Sequence, residues 1–502
     1  MMPSSKTVKF MNAVGSHMAL TFNDIILAPG YSEIMPGQVS LKSRFTRNIT
    51  LNAPLVSAAM DSVTESKMAI AMALIGGIGV IHKNLSPEEQ TREIKKVKYF
   101  LNGFLEKVRV VYPHQTIEDV LRYKEEKGFS FTSFPVVDKE RRLLGIITNR
   151  EIKYCEDSKA RVKDIMVKDP VISRGKCSLK EAYQIMKEHR INILPVVEEG
   201  YLTGIFCWKD VCDIIRTEHP DYNRDEHHQL RCAAAVGPHD HERVEMLMES
   251  GVDCLVVDTA HGHTANVVKM IRWIKKHYQI DLVAGNIAHA EAVTDLIEAG
   301  ADALKVGIGP GSICTTRVVT GIGVPQVTAI YECARASKGT VPIIADGGVC
   351  FSGDVAKALA VGADAVMMGN ALAGTDESPG ETIFYQGRKF VSYRGMGSLE
   401  AMKERAGSRE RYSQQHNQPE KLVPEGIVGM VPYKGSVREV LSQFTGGLRN
   451  TLGYTGSMDI AAFQQKADIR QITASGHREN HPHDVIIRKE APNYKGGGDV
   501  IF

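Results

Sequence analysis

The chain has 502 residues, with 61 basic and 59 acidic side chains and a formal charge of only +2. Its hydrophobic share of 43% is typical of a globular soluble protein, and its length indicates about three domains, or fewer if one is a large barrel. The near-neutral charge excludes a broad basic field for nucleic acid or anionic lipid. We expect no such partner, and an anionic ligand must be bound locally.

Three features of the chain bear on its compartment. The longest apolar stretch, residues 68–81, is interrupted by glycines and too short to span a bilayer, so it predicts a buried helix and strand. The first twenty residues lack the apolar core of a signal peptide, which favours a cytoplasmic location. Residues 15–18 read GSHM, like the remnant of an expression tag, and residues 1–18 are assigned no function.

The nine cysteines include no CxxC pair. This count and spacing favour reduced thiols over a disulfide framework or a zinc site.

A repeated pattern predicts the fold. Residues 251–258, 300–307 and 362–369 each begin with a glycine, continue through an aspartate and form a short apolar strand. Glycine at a helix C-terminus supplies a left-handed turn, and a continuously apolar strand indicates burial on both faces of a parallel sheet. Five further strands are predicted at residues 54–58, 78–81, 232–236, 281–284 and 341–345.

Eight strands predict a closed (β/α)₈ TIM barrel, built from residues 19–91 and 221–502. The alternative is a doubly wound sheet. The only GxGxxG-like run, at Gly307, lacks the acidic ribose-binding partner about 20 residues later that a dinucleotide-binding sheet requires. The pattern therefore favours the barrel.

Residues 92–220 interrupt the barrel and contain their own repeat. FPVVD at 134–138 and LGIIT at 144–148 recur as LPVVE at 194–198 and LTGIF at 202–206, which predicts two copies of one small α/β unit, at residues 92–155 and 156–220. The pair resembles a tandem CBS (Bateman) domain, whose family binds ATP or GTP. The resemblance implies ribose contacts from Thr148 and Glu151, but Cys207 replaces the threonine in the second copy. A purely structural spacer is the alternative.

A cysteine lies in a glycine-rich loop after the sixth predicted strand. Residues 307–317 read GIGPGSICTTR, so Cys314 has polar neighbours instead of an apolar shell. Catalytic groups of barrel enzymes lie at the C-terminal ends of strands, and glycines let the backbone approach a ligand. Cys314 is therefore a candidate nucleophile.

Two later loops predict a phosphate site. ADGG at residues 345–348, with Ser352, and MGN at 368–370 follow the last two predicted strands. Backbone N–H groups at glycines and helix N-termini bind phosphate without net positive charge. Asp346 is placed to accept hydrogen bonds from ribose hydroxyls.

These loops and four other motifs resemble the inosine monophosphate dehydrogenase and guanosine monophosphate reductase family. The motifs are GIGVPQ at 321–326, SAAM at 57–60, YRGMGS at 393–398 and ENHPHD at 479–484. Dehydrogenases carry a long flap with an Arg-Tyr pair, which matches Arg411 and Tyr412 within a flap at about 398–432, whereas reductases are expected to be shorter there. A loop this long is usually functional or disordered. The resemblance favours a dehydrogenase.

The resemblance implies oxidation of inosine 5′-monophosphate (IMP) to xanthosine 5′-monophosphate (XMP) with NAD and water, a step of guanine nucleotide biosynthesis. On this hypothesis Cys314 attacks C2 of the purine, hydride leaves for NAD, and the flap then closes so that water hydrolyses the covalent thioimidate. The resemblance assigns water activation to Arg411, assisted by Tyr412 and Thr316. Because arginine normally stays protonated, a relay from Thr316 to Glu425 remains open.

The resemblance also implies binding residues and a homotetramer. Substrate contacts are expected from Ser57, Ser312, Asp346, Gly348, Gly369, Asn370, Tyr393, Gly395, Met396, Gly397 and Glu425, with Asn370 standing where some members have serine. NAD contacts are expected from Asp258, Asn286, Gly307 and Gly309. A potassium ion is expected at the carbonyls of Gly309, Gly311 and Cys314, completed by Glu479, Asn480 and His481 of a neighbouring subunit.

Two other functions remain open. A guanosine monophosphate reductase would use the same barrel and cysteine but consume NADPH and release ammonia. A non-enzymatic nucleotide sensor would use the CBS pair and leave the barrel inert, although Cys314, Asp346, Arg411 and Tyr412 argue against an inert barrel.

Overall fold

The structure is a computed structural model that describes residues 5–14, 18–100, 103–105, 108–126, 133–175, 177–216, 221–414 and 418–494. Residues 15–17 of the tag-like segment and 415–417 of the predicted flap lie outside this part. The chain divides into two units, one comprising Met1–Lys98, Asp221–Asn223 and Leu230–Phe502, the other Tyr99–Pro220 and Arg224–Gln229. Among the described helices, none combines the length and apolar character that crossing a membrane demands.

The first unit is built around a closed barrel of eight parallel strands. In chain order they are β1 (Leu55–Ser57), β2 (Ile78–Ile81), β3 (Ala233–Val236), β4 (Cys254–Asp258), β5 (Asp281–Ile287), β6 (Ala303–Val306), β7 (Ile343–Asp346) and β8 (Ala365–Met368). Each strand pairs with its neighbours in chain order, and β8 closes onto β1. The predicted barrel is confirmed.

The barrel core is made of small and branched side chains. Val56, Val80, Ala235, Val256 and Ile344 are fully buried in one cluster, which Phe45 also enters. The strands are apolar on both faces because helices cover the outside, at Ser66–Leu74, Pro87–Lys98, His241–Glu249, Ala265–His277, Ala290–Ala299, Gln326–Ser337, Ser352–Ala360 and Val437–Tyr454. The glycines that open the three repeats have φ of 78°, 112° and 116°, the left-handed turn that was predicted.

Shorter elements surround this barrel. Ile25–Leu27 pairs with Ile469–Gln471, Ser43–Arg44 pairs with Thr50–Leu51, and Thr382–Tyr385, Arg388–Arg394 and Val428–Pro432 form an antiparallel sheet. Additional helices are Ser5–Val14, Thr316–Thr320, Leu399–Glu404, Ala406–Arg411, Ile460–Lys466 and Ala474–Glu479, with 3₁₀ turns at Phe22–Asp24, Pro36–Gln38 and Pro419–Lys421. The predicted flap segment thus contains two short helices and the last strand of the sheet.

The second unit contains two small α/β copies. The first has strands Phe134–Val137 and Leu143–Ile147 with helices Ile117–Glu126, Asn149–Lys153 and Val162–Ile165. The second has strands Phe104–Leu105, Ser173–Arg174, Ile193–Glu198 and Tyr201–Cys207 with helices Leu179–His189 and Trp208–Arg216. Each copy has its own apolar core, around Phe134 in the first and Leu194 in the second.

Three boundaries differ from the sequence prediction. The helix Pro87–Lys98 belongs to the first unit, so the division falls after Lys98 instead of residue 91. Phe104–Leu105 pairs with Tyr201–Cys207 of the second copy, and Val162 packs into the core of the first copy, the reverse of their assignments. The predicted boundaries were set from the repeated strand pairs. The flanking segments contain no repeated sequence that would indicate which copy they pack against.

Candidate active site

A cavity of about 270 Å³ lies where the barrel strands end. The loops after β6, β7 and β8 line it together with the flap. Of the predicted site residues, it brings together Asn286, Gly307, Gly309, Gly311, Ser312, Cys314, Thr316, Asp346, Gly348, Gly369, Asn370, Tyr393, Gly395, Met396, Arg411, Tyr412 and Glu425. Residues from distant parts of the sequence therefore share one chamber.

The loop that carries Cys314 is braced by Arg317. The Arg317 guanidinium donates hydrogen bonds to the carbonyls of Ile308, at 3.1 Å, and Val324, at 2.6 Å. Gly309 has φ of +78°, and a Cβ there would lie 2.6 Å from Arg317 Cγ. Only glycine lets the loop fold this closely over the arginine.

A chain of hydrogen bonds connects the thiol to a carboxylate. The half-buried Cys314 thiol donates to Thr316 Oγ1 at 3.1 Å, and that hydroxyl donates to Glu425 Oε2 at 2.8 Å. The Thr315 N–H also donates to the Glu425 carbonyl at 2.9 Å. This arrangement can carry a proton from the Cys314 thiol to the Glu425 carboxylate.

A buried lysine lies among three polar side chains beside the cavity. Lys305, with 1% of its side chain exposed, places Nζ 2.9 Å from Asp258 Oδ1 and 2.8 Å from Asp346 Oδ2, and also contacts Asn286 Oδ1. Asn286 Nδ2 donates to Asp346 Oδ2 at 2.9 Å and to the Gly307 carbonyl at 2.7 Å. Sequence reasoning missed Lys305, whose one signal was a cation inside an otherwise apolar strand.

The flap places its Arg-Tyr pair in the cavity wall. Arg411 forms an ion pair with Asp258 Oδ2, and its carbonyl accepts from the Ala260 N–H at 3.0 Å. A Cβ on Gly397 would lie 2.6 Å from the Tyr412 ring, so glycine is needed for this approach. Burial raises the pKa of Tyr412, although the neighbouring Arg411 lowers it, and the phenol is neutral at physiological pH.

The predicted phosphate loops form the other wall. Gly347 and Gly348 have φ of 93° and 81°, so both adopt the left-handed backbone that glycine favours. A Cβ on Gly369 would lie 3.1 Å from the Tyr393 hydroxyl. Burial raises the pKa of Tyr393, which keeps this hydroxyl available as a hydrogen-bond donor.

Six predicted site residues do not line the cavity. Asp258 forms ion pairs with Lys305 and with Arg411, and Gly397 packs against the Tyr412 ring. Ser57 is fully buried, and its Oγ accepts from the Thr64 hydroxyl at 2.9 Å. The remaining three, Glu479, Asn480 and His481, end the helix Ala474–Glu479 or follow it; His481 Nδ1 lies 3.1 Å from the Tyr494 hydroxyl.

Comparison with known proteins gives concordant matches. The family model described as IMP dehydrogenase / GMP reductase domain matches residues 19–483. An inosine-5′-monophosphate dehydrogenase of Helicobacter pylori is 48% identical over 481 residues, covering 95% of this chain and 99% of that protein. One of Staphylococcus aureus is 48% identical over 483 residues, covering 95% and 98%. A crystal structure of a Trypanosoma brucei GMP reductase variant in complex with guanosine 5′-monophosphate has a TM-score of 0.77 and 37% identity, covering 95% of this chain and 100% of that chain.

Proposed function

Because this chain belongs to the IMP dehydrogenase / GMP reductase family, we infer that it is an NAD-dependent oxidoreductase that converts IMP to XMP in guanine nucleotide biosynthesis. Dehydrogenases match it over 95% of its length. The observation that carries the reaction type is the placement of Arg411 and Tyr412 in the same cavity as Cys314. A reaction that ends in hydrolysis requires groups beside the nucleophile that can orient and activate a water molecule.

In the proposed mechanism, the Cys314 thiolate forms a bond to C2 of the hypoxanthine ring. The hydride that leaves C2 would be accepted by NAD, which Asp258, Asn286, Gly307 and Gly309 would hold. Water then attacks C2, the bond to Sγ breaks, and XMP and the free thiol are formed. Covalent catalysis divides one difficult oxidation and hydration into two easier steps, and cysteine suits it because some thiolate is present near neutral pH.

The residues around Asp258 fit a nicotinamide ribose. Its carboxylate oxygens accept from Lys305 and Arg411, so a ribose hydroxyl can replace Arg411 as a donor to Oδ2. Asn286, Gly307 and Gly309 line the adjoining wall. Arg411 and the ribose thus compete for one oxygen, and the flap and NAD occupy the site in turn.

Water activation is assigned to the groups that meet at Cys314. Arg411 and Tyr412 line the same cavity as Cys314, and the Thr316 hydroxyl, which accepts from the Cys314 thiol, donates to Glu425. Because a guanidinium holds its proton tightly, the Thr316–Glu425 pair provides a second path for the proton that leaves water.

Substrate binding is assigned to the glycine loops and the flap residues that line the cavity. Asp346 accepts from the ribose of IMP, and the amides of Gly348, Gly369 and Asn370 hold its phosphate with the Tyr393 hydroxyl. Lys434 donates to the Asn370 carbonyl at 2.5 Å, which orients that loop. Ser312, Gly395, Met396 and Glu425 complete the pocket, while Ser57 and Gly397 support it from behind.

Potassium and a homotetramer are further parts of the proposal. The carbonyls of Gly309, Gly311 and Cys314 belong to one tightly turned loop, and uncharged carbonyl oxygens suit a monovalent cation. The Gly311 carbonyl accepts one hydrogen bond, from the Cys314 N–H at 3.0 Å, which leaves a lone pair. Because Glu479, Asn480 and His481 lie outside this chain's own cavity lining, they are assigned to the site of a neighbouring copy.

We assign the second unit as a CBS pair that binds ATP or GTP through its first copy. Thr148 caps the helix Asn149–Lys153 and donates to Glu151 Oε2 at 2.5 Å, so the two residues expected to hold ribose are adjacent. Cys207 has no hydroxyl to offer, and burial raises its thiol pKa to about 11. A cytosolic location is in keeping with nine cysteines that remain as thiols in the described part of the chain.

A paired spectrophotometric assay tests the function. IMP with NAD is expected to produce NADH and XMP, more rapidly with potassium than without it. The likeness to a GMP reductase makes that activity the second candidate. Consumption of NADPH with guanosine monophosphate, and no NADH from IMP, would replace the dehydrogenase assignment.

A further inference from the structure

A compact cluster of charges lies beyond the catalytic groups, where the flap meets the loops after β2 and β3. Lys83 Nζ lies 3.0 Å from Asp240 Oδ2 and forms an ion pair with Glu410, while Arg243 Nε lies 3.4 Å from the same Asp240 oxygen. The Lys83 side chain is 6% exposed and that of Glu410 is 13% exposed. Solvent therefore screens these charges poorly.

The flap supplies one of the two carboxylates that form ion pairs in this cluster. Lys83, Asp240 and Arg243 belong to the barrel, and Glu410 is the member that the flap supplies. Arg243 also donates to Gln90 Oε1 at 2.6 Å and to the Leu85 carbonyl at 2.9 Å, with Glu88 as a further acidic neighbour. Departure of Glu410 would leave Lys83 and Arg243 sharing the Asp240 carboxylate.

Two glycines next to the cluster leave room for the contact between Lys83 and the flap. A Cβ on Gly237 would overlap both Lys83 Nζ and the Glu410 carboxylate. Gly237 has no left-handed backbone, so alanine is compatible with its conformation, and its methyl group would displace the ends of the Lys83 and Glu410 side chains. Gly407, earlier in the same helix, also lies against Lys83: a Cβ there would be 2.9 Å from the Lys83 carbonyl.

We propose that Lys83 and Glu410, seated over Gly237, form the latch that holds the flap closed and positions Arg411 for hydrolysis. Glu410 immediately precedes Arg411 in the helix Ala406–Arg411, so the ion pair fixes the end of the helix that delivers the arginine to Asp258. The latch sets the ratio of closed to open flap, and so divides the enzyme between hydrolysis and NAD binding. This role rests on the proposed dehydrogenase function.

The first test is Glu410→Gln, which keeps the shape of the side chain and removes its charge. Loss of a charged hydrogen bond to a buried partner should lower the ratio of closed to open flap about tenfold, and it lowers the closed fraction by the same factor where the open flap predominates. In rapid-quench experiments with IMP and NAD, we expect hydrolysis of the Cys314 adduct to slow about tenfold and the adduct to accumulate. The first burst of NADH should stay within about twofold of wild type, because hydride transfer uses the open flap.

Two further variants separate a latch from general damage. Gly237→Ala leaves every charge in place but removes the space, and it should reproduce the slow hydrolysis. Arg405→Gln breaks a more exposed flap contact, to Glu89 at 3.3 Å, and should change hydrolysis by less than about twofold. Wild-type hydrolysis in both Glu410→Gln and Gly237→Ala, or an equal fall of the NADH burst, would overturn the proposal.

The rate of trypsin cleavage within residues 405–411 measures how often the flap opens, independently of the reaction. Cleavage of the full chain should accelerate about tenfold in Glu410→Gln and Gly237→Ala, but not in a Lys275→Met control outside the flap. Unchanged cleavage in both latch variants would contradict the latch. Faster cleavage in a protein that makes no NADH from IMP would support the latch and reject the dehydrogenase function.

Discussion

Replacing Lys305 by methionine removes a buried cation and retains much of its volume. Lys305 is 1% exposed and neutralises Asp258 and Asp346 together, so Lys305→Met leaves two carboxylates dependent on Arg411 and Asn286. Breaking a buried ion pair from one side costs about 3–5 kcal/mol. Because Asp346 is partly exposed, we expect a loss near the lower end, about 3 kcal/mol.

Urea denaturation, followed by a probe of barrel unfolding, measures this loss. Lys275→Met is the matched control, because Lys275 Nζ lies 2.7 Å from Asp302 Oδ2 but its side chain is 30% exposed. There we expect about 1 kcal/mol or less. Equal losses in the two variants, or an unchanged free energy of unfolding in Lys305→Met, would refute the assignment of Lys305 as the shared cation.

Three other predictions concern the loop, the flap and the second unit. Arg411→Ala should retain the NADH burst but slow adduct hydrolysis by about 10²-fold or more, as loss of a general base does; rapid quench measures both, and unchanged hydrolysis removes Arg411 from water activation. Gly309→Ala should lower kcat/KM at least about tenfold, since its Cβ meets Arg317 in a left-handed backbone; wild-type kcat/KM would show that the loop tolerates the methyl group. At pH 8 iodoacetamide should alkylate the Cys207 thiol about 10²-fold more slowly than a thiol of ordinary pKa, about 8.5. The reason is that burial raises the pKa of Cys207 to about 11, so a smaller fraction of it is thiolate. Mass spectrometry of the labelled peptides measures the two rates, and comparable rates would contradict the burial.

The barrel was predictable because its strands obey local rules. A helix-ending glycine and a continuous apolar strand mark the repeats at residues 251–258, 300–307 and 362–369, and the structure places a barrel strand in each. Residues 68–81 likewise form the predicted helix and strand. The boundaries of the second unit were less accessible, because Phe104–Leu105 pairs with a strand about 100 residues later.

The residues of the cavity also differ in how well the sequence predicted them, according to whether their signals are local. The glycine loops and Cys314 carried short-range signals, since a left-handed turn or a polar loop around a thiol is visible within a few letters. Lys305 stood out only as a cation in an apolar strand, and its carboxylate partners lie 41 and 47 residues away in the sequence. Lys83 and Glu410 carried no local signal, because they are 327 residues apart and only the folded chain brings them together. A charge becomes informative when its burial and its partner are both known.

Mass spectrometry of the enzyme quenched during turnover with IMP and NAD tests the central claim most directly. The peptide that contains Cys314 should carry the mass of a purine nucleotide monophosphate, and the Cys314→Ala protein should show neither the adduct nor XMP. An unmodified Cys314 peptide throughout turnover, together with XMP formation by Cys314→Ala, would contradict covalent catalysis at this sulfur.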